Sequence, residues 1–212
     1  SMDKNGMNIE QLEKIAREKD PELLYTIPDF QNPSGITLAE SKREKVVELA
    51  NKYDFWIVED SPYFKLRYKG EDNNPLWGID PNRVFYISSF SKLISPGLRA
   101  GWTIIPSKMT DKVLQYAEDS YITPSMLSQG VVYEFLDNGW LEPNIEELRD
   151  LYRIRLEAII DALEEYLPEA SWAEPQGGFF VGLYLPEGIY YEDMKENAKE
   201  LGLKLSDSRK FF

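Results

Sequence analysis

The 212-residue chain carries 24 Lys and Arg against 37 Asp and Glu, a formal net charge of −13, which argues against nucleic-acid binding by this segment because neutralising phosphates needs clustered cations. It has no cysteine and no histidine, so disulfides, thiolate metal sites, the usual zinc ligand and a Ser-His pair are excluded, and acid-base chemistry must run through Lys, Asp, Glu or Tyr. The length allows one large domain or two small ones; no apolar stretch reaches bilayer length and no secretory signal precedes the first periodic segment, so a cytoplasmic location is expected.

Residues 9–18 place Ile9, Leu12, Ile15 and Ala16 at helical spacing and predict a short amphipathic helix. The apolar run at residues 23–27 reads as a strand that stops at Pro28-Asp29-Phe30-Gln31-Asn32-Pro33-Ser34-Gly35. In that turn the Asn32 amide can donate a hydrogen bond, and Pro33 fixes a φ angle that holds it. Residues 38–53 repeat the helical pattern through Val46, Val47, Leu49 and Ala50, with Thr37 as the expected N-cap and Glu40 three residues on. A second strand at residues 55–58 ends in Glu59-Asp60-Ser61-Pro62-Tyr63. Strand, helix, strand predicts parallel pairing, and an acid at a strand's carboxyl end with a phenol three residues on is where an open α/β sheet gathers ligand groups.

Residues 84–87 form a third run, which breaks into Ser88-Ser89-Phe90-Ser91-Lys92-Leu93-Ile94-Ser95-Pro96-Gly97-Leu98-Arg99. Two serines and an arginine around one lysine suit an anionic phosphate beside an amine nucleophile. A lysine partly desolvated among cations can lose its proton and form a Schiff base with an aldehyde. Singly, each residue has an ordinary reading: Lys92 as a solvated loop lysine, Asp60 as a helix N-cap before Pro62, Arg99 as a surface charge. Jointly, three successive strands deliver polar groups at the same end. Residues 99–105 read as a further strand, and residues 108–138 as helix in pieces broken near Pro124. Gly139 and Pro143 interrupt the pattern and predict a boundary. Residues 146–166 then predict a helix long enough to bridge two domains, and Gly177-Gly178-Phe179-Phe180-Val181-Gly182-Leu183-Tyr184 a strand.

Asn32-Pro33-Ser34-Gly35, Asp60-Ser61-Pro62-Tyr63, Ser89-Phe90-Ser91-Lys92 and Arg99-Ala100-Gly101-Trp102, in this order, resemble the class I/II aminotransferases of pyridoxal-phosphate fold type I. Pro28, Gln31 and Glu59 add a likeness to the subgroup of 2-aminoadipate, kynurenine and aromatic aminotransferases. The resemblance implies an α/β fold: part of the large cofactor domain, a mainly parallel sheet with covering helices, over residues 1–140, and part of the α+β small C-terminal domain over residues 141–212. It implies pyridoxal 5′-phosphate as cofactor and no metal. Lys92 would form the Schiff base and later shuttle the proton between the substrate Cα and the cofactor C4′. Asp60 would pair with the pyridine nitrogen and keep it protonated. Asn32 and Tyr63 would hydrogen-bond the ring oxygen, and Ser89, Ser91 and Arg99 would hold the phosphate. Lys92, Asp60 and Tyr63 are the expected catalytic residues. The substrates would be an amino acid and a 2-oxo acid, exchanged in ping-pong half-reactions by a homodimer.

Enzymes of this family are roughly twice as long, which exceeds a single typical domain. The match begins after the family's first sheet strands and stops before its last small-domain strands. The chain therefore looks like a piece truncated at both ends, with an exposed sheet edge that invites association. The family's substrate-carboxylate arginine is not assigned: Arg209 stands near the end, but the pattern places that residue after the Phe that Phe211 or Phe212 would represent. The alternative is a ligand-sensing role, since GntR-type transcription regulators use the same fold without turnover.

Overall fold

The computed structural model describes residues 1–207; Arg209, Phe211 and Phe212 lie outside the described residues. A hairpin of β1 (Met2–Asp3) and β2 (Gly6–Met7) leads into α1 (Ile9–Lys19). Asn8 caps α1 by accepting the Gln11 N–H at 2.8 Å, and Glu10 at its start and Arg17 and Lys19 at its end complement the helix dipole. Next come β3 (Leu23–Thr26), α2 (Glu40–Lys52), β4 (Trp56–Asp60), α3 (Leu76–Ile79), β5 (Val84–Ser89) and β6 (Gly101–Ile104), and these strands form one sheet in the order β3-β4-β5-β6. β3, β4 and β5 run parallel, as the strand-helix-strand pattern implied, and β6 runs antiparallel to β5. The helix start differs from expectation. The Leu38 N–H is tied to Pro28 O at 2.7 Å, so the chain stays extended up to Ala39, the residue at the cap position, and Thr37 belongs to the preceding loop.

Alternation along the strands separates two faces. Ile57, Glu59, Val84, Tyr86 and Ser88 are buried on one of them. There α1 and α2 bring Ala16, Val46, Val47, Leu49 and Ala50 against Phe55, Ile57, Leu76 and Val84 to make the main core. Each fully buried aliphatic or aromatic side chain contributes about 1.5–3 kcal/mol. The other face, with Trp56, Val58, Asp60, Phe85 and Ile87, is only half-buried, and Leu23 and Tyr25 on it are exposed.

Glu59 is an acid in the covered face. Its carboxylate accepts the Leu76 and Trp77 N–H groups at 3.1 and 2.9 Å at the start of α3. Burial pushes its carboxyl up to about 7, against the downward pull of those two donors and of Arg43, with Asp29 adding to the rise. The unfolded group titrates near its ordinary 4.5. Between these values the folded chain keeps a proton that the unfolded chain has lost. Glu59 therefore favours folding most below its unfolded pKa, and that contribution, about 3 kcal/mol at most, falls away as pH rises through 7. Urea unfolding at pH 5 and pH 8 should show a pH slope that Glu59→Gln flattens; an unchanged slope in the variant would refute this.

The second half contains α4 (Thr110–Tyr121), α5 (Met126–Asp137), α6 (Leu141–Tyr166), β7 (Ser171–Trp172), β8 (Leu183–Tyr184) and α7 (Tyr191–Glu200). α6 begins five residues earlier than residues 146–166 suggested and includes Pro143. In a first turn the N–H has no partner within the helix, so proline loses nothing there. Ile145 of α6 is fully buried with Leu66 and Leu93. Asn144 Nδ2 donates to Leu93 O at 2.6 Å and Arg149 Nε to Lys65 O at 2.7 Å, so α6 holds both site loops. The strand expected over residues 177–184 is only β8, paired with β7. The preceding glycines serve close approach instead: a Cβ on Gly177 would lie 2.3 Å from Leu66 O, and one on Gly178, at φ +73°, 2.4 Å from Phe30 Cβ. Among the described residues no helix is long and apolar enough to cross a membrane.

Candidate functional site

The segment after β3 is fixed from several sides. Phe30, at φ +55°, is fully buried with the Arg67 guanidinium 4.9 Å from its ring centroid. Gln31 Oε1 accepts the Ser34 N–H and hydroxyl at 3.0 and 2.6 Å, closing the Asn32-Pro33-Ser34 turn around a cis Asn32–Pro33 bond. Beneath it Asp29 Oδ1 accepts Arg43 Nη2 at 2.8 Å and Arg67 Nη2 at 3.2 Å. Arg43, fully buried, also donates to the backbone oxygens of Leu38, Asn74 and Pro28. The result is a rigid pedestal for Asn32. Its Oδ1 is buried and has no hydrogen-bond partner, an arrangement that buried polar groups avoid unless a ligand completes them.

Asp60 ends β4, in register with Ile87 of β5. The chain then turns through Ser61, whose backbone oxygen accepts the Ser88 hydroxyl at 2.8 Å, to bring in Tyr63. Tyr63 is buried, with Phe179 and Phe180 edge-on at 5.6 and 5.7 Å. Burial and then the Asp60 charge push its phenol pKa up, so at neutral pH it remains a hydrogen-bond donor. Tyr68 fastens the glycine pair to this loop, its hydroxyl donating to Gly178 O at 2.7 Å.

Ser89 ends β5 opposite Gly101, and a turn over residues 90–94 follows in which Phe90 O accepts the N–H groups of Leu93 and Ile94. Leu93 is buried beneath it, which leaves Ser91 half-buried and Lys92 exposed. Lys92 Nζ lies 5.9 Å from the Phe179 centroid. The desolvation that an amine nucleophile needs is therefore not supplied by these residues alone. Arg99, exposed at φ +51°, follows a 3-10 turn at Pro96–Leu98 and precedes β6.

All seven expected residues thus lie toward one end of the sheet, the carboxyl end of its parallel strands. Asp60 and Ser89 end β4 and β5, Asn32, Tyr63, Ser91 and Lys92 lie in the segments that follow the three parallel strands, and Arg99 precedes the antiparallel one. A cavity of about 620 Å³, walled by Phe179, Phe180 and Leu183 among others, opens beside Asn32, which alone of the seven lines it. Sequence reasoning missed two features. Tyr25 looked like part of an apolar run, yet its hydroxyl bonds Asp60. Phe179 and Phe180 looked like strand residues, yet they close over Tyr63.

The sequence profile of the family described as aminotransferase class I and II matches residues 1–206. An aromatic-amino-acid aminotransferase of Thermococcus litoralis is 38% identical over 219 residues, which cover 100% of this chain and 52% of that protein. The kynurenine aminotransferase of Pyrococcus horikoshii, solved in complex with PMP, superposes with a TM-score of 0.90 at 36% identity, over 96% of this chain and 52% of its own. An HTH-type transcriptional regulator of Bacillus subtilis is 32% identical over 97% of this chain and 43% of the regulator. The chain spans about half the length of these relatives. By sequence and by fold the chain belongs to the class I and II aminotransferases, and its α/β architecture is part of their fold type I large domain together with part of the small C-terminal domain.

Proposed function

We propose that this chain carries the cofactor site of a pyridoxal-phosphate-dependent aminotransferase, which moves an amino group between an amino acid and a 2-oxo acid in two half-reactions. The carrying observation is the placement, at the carboxyl end of the parallel strands, of an amine, a carboxylate, a phenol, an amide with an unpartnered oxygen, two hydroxyls and a guanidinium. These groups fit the cofactor's chemistry. Its ring hydroxyl can donate or accept, so it matches the buried Asn32 amide in either orientation. When bound, the cofactor supplies an aldehyde and an aromatic ring that accepts electrons from the substrate carbon.

Within this reading Lys92 would hold the cofactor at its aldehyde carbon, and its amine, when free, would move the proton between the substrate Cα and the cofactor C4′. Asp60 would accept a hydrogen bond from the pyridine nitrogen and keep that nitrogen protonated. Asn32 and Tyr63 orient the ring through its hydroxyl oxygen. Ser89, Ser91 and Arg99 hold the phosphate, with the guanidinium suited to a bidentate grip. The cofactor-domain part runs to about residue 140 and the small-domain part follows. We place the protein in the cytoplasm, working as a homodimer. Support for the dimer comes from exposed Met126, Leu127, Tyr133 and Trp140 on and beside α5, an apolar surface of the kind that a second subunit covers.

The test is to load the chain with pyridoxal phosphate, add an amino acid such as phenylalanine, kynurenine or 2-aminoadipate, and measure the 2-oxo acid formed. One equivalent of oxo acid per bound cofactor is expected. Cofactor binding without oxo acid from any of these would overturn the enzymatic reading in favour of a sensing role.

A further inference from the structure

Tyr25 lies on β3 opposite Val58 of β4, and Asp60 is two residues further along β4 on the same face of the sheet. That diagonal is within reach of a tyrosine, and its hydroxyl donates to Asp60 Oδ2 at 2.5 Å. The distance is that of a charge-assisted hydrogen bond between a hydroxyl and a carboxylate. Tyr25 is 57% exposed, so core packing does not ask for a tyrosine here. Tyr68 and Tyr86, by contrast, lie in or beside the packed interior. Partial burial, with the Asp60 bond and charge, pushes the Tyr25 phenol pKa well above its ordinary value, so the hydroxyl keeps its proton at any working pH.

We propose that Tyr25 is the positioning residue for Asp60: its hydroxyl holds one carboxylate oxygen so that the other meets the cofactor's pyridine nitrogen in a fixed direction. This inference rests on the cofactor reading above. A carboxylate at a strand end can rotate about χ2, and an anchored one presents its acceptor without that loss of freedom when the ring arrives. With the anchor gone, the ring nitrogen keeps its proton less firmly, and the ring draws electrons less strongly from the group attached to it.

The test compares wild type with Tyr25→Phe, which keeps the ring and removes only the hydroxyl. Equilibrium titration with pyridoxal phosphate should give a Kd raised about tenfold, the effect of losing one hydrogen bond to a charged group. The visible band of bound cofactor should also titrate at higher pH in the variant, while the urea unfolding midpoint stays unchanged. In an Asp60→Asn background Tyr25→Phe should have no further effect, because its action passes through that carboxylate. Equal Kd and equal band midpoint in wild type and Tyr25→Phe would overturn the inference and leave the cofactor reading standing. Additive losses in the double variant would overturn it as well. Absence of cofactor binding by wild type would overturn the cofactor reading itself.

Discussion

Lys92→Ala should abolish borohydride-stable attachment of pyridoxal phosphate and lower transamination by about 10⁴-fold or more, because the substitution removes both the covalent tether and the proton carrier. Lys92→Arg should fail equally: it keeps the charge, but a guanidinium stays protonated and is no nucleophile. Stability should scarcely change in either variant, since Lys92 is exposed and the turn is anchored by buried Leu93 and by Asn144 Nδ2 on Leu93 O. Rapid kinetics and a urea curve on the same preparations separate the two effects. Activity within tenfold of wild type in Lys92→Ala would remove Lys92 from the mechanism.

Arg43→Leu should be the most damaging substitution away from the reacting groups. The Arg43 guanidinium is fully buried and answers Asp29 and three backbone oxygens, those of Leu38, Asn74 and Pro28. Removing it leaves Asp29 to Arg67 at 3.2 Å and to Asn73 at 3.5 Å, and strands the backbone oxygens in the interior. Breaking a buried pair from one side costs about 3–5 kcal/mol. The urea midpoint should fall accordingly. Cofactor affinity should fall with it, because Asp29 and Asn32 share one short segment. Arg43→Lys should recover only part of the loss, as a single ammonium cannot reach four acceptors spread around a planar fork. A loss under 1 kcal/mol in Arg43→Leu would mean that the pedestal is held by something else.

The sheet was largely legible from the chain, for a physical reason. The parallel strands are short apolar runs, and each of the three here stops abruptly at polar residues that have to sit at the same end once the strands pair in parallel. Asn32, Asp60, Tyr63, Ser89, Ser91 and Lys92 can therefore be grouped from the sequence. What stayed hidden depended on register or on contacts distant in sequence. Tyr25 reaches Asp60 only because it pairs with Val58, and nothing within residues 23–27 reveals that alignment. The Asp29, Arg43 and Arg67 network joins residues 14 and 38 positions apart, and on a helix of mixed charge Arg43 looks like a solvated cation. The glycine-rich run at 177–182 has strand composition, but Gly178 turns the chain at positive φ and lays the two phenylalanines over Tyr63. The early start of α6 escaped notice because Pro143 reads as a breaker everywhere except in a first turn.

The central claim is that the carboxyl end of these parallel strands is a pyridoxal-phosphate site with Lys92 as its amine. The most direct measurement is to incubate the chain with the cofactor, record the visible spectrum, reduce with borohydride and map the modified peptide by mass spectrometry. The account predicts a visible band and a single phosphopyridoxyl group on Lys92. No band, or label scattered over surface lysines such as Lys45 and Lys69, would contradict it.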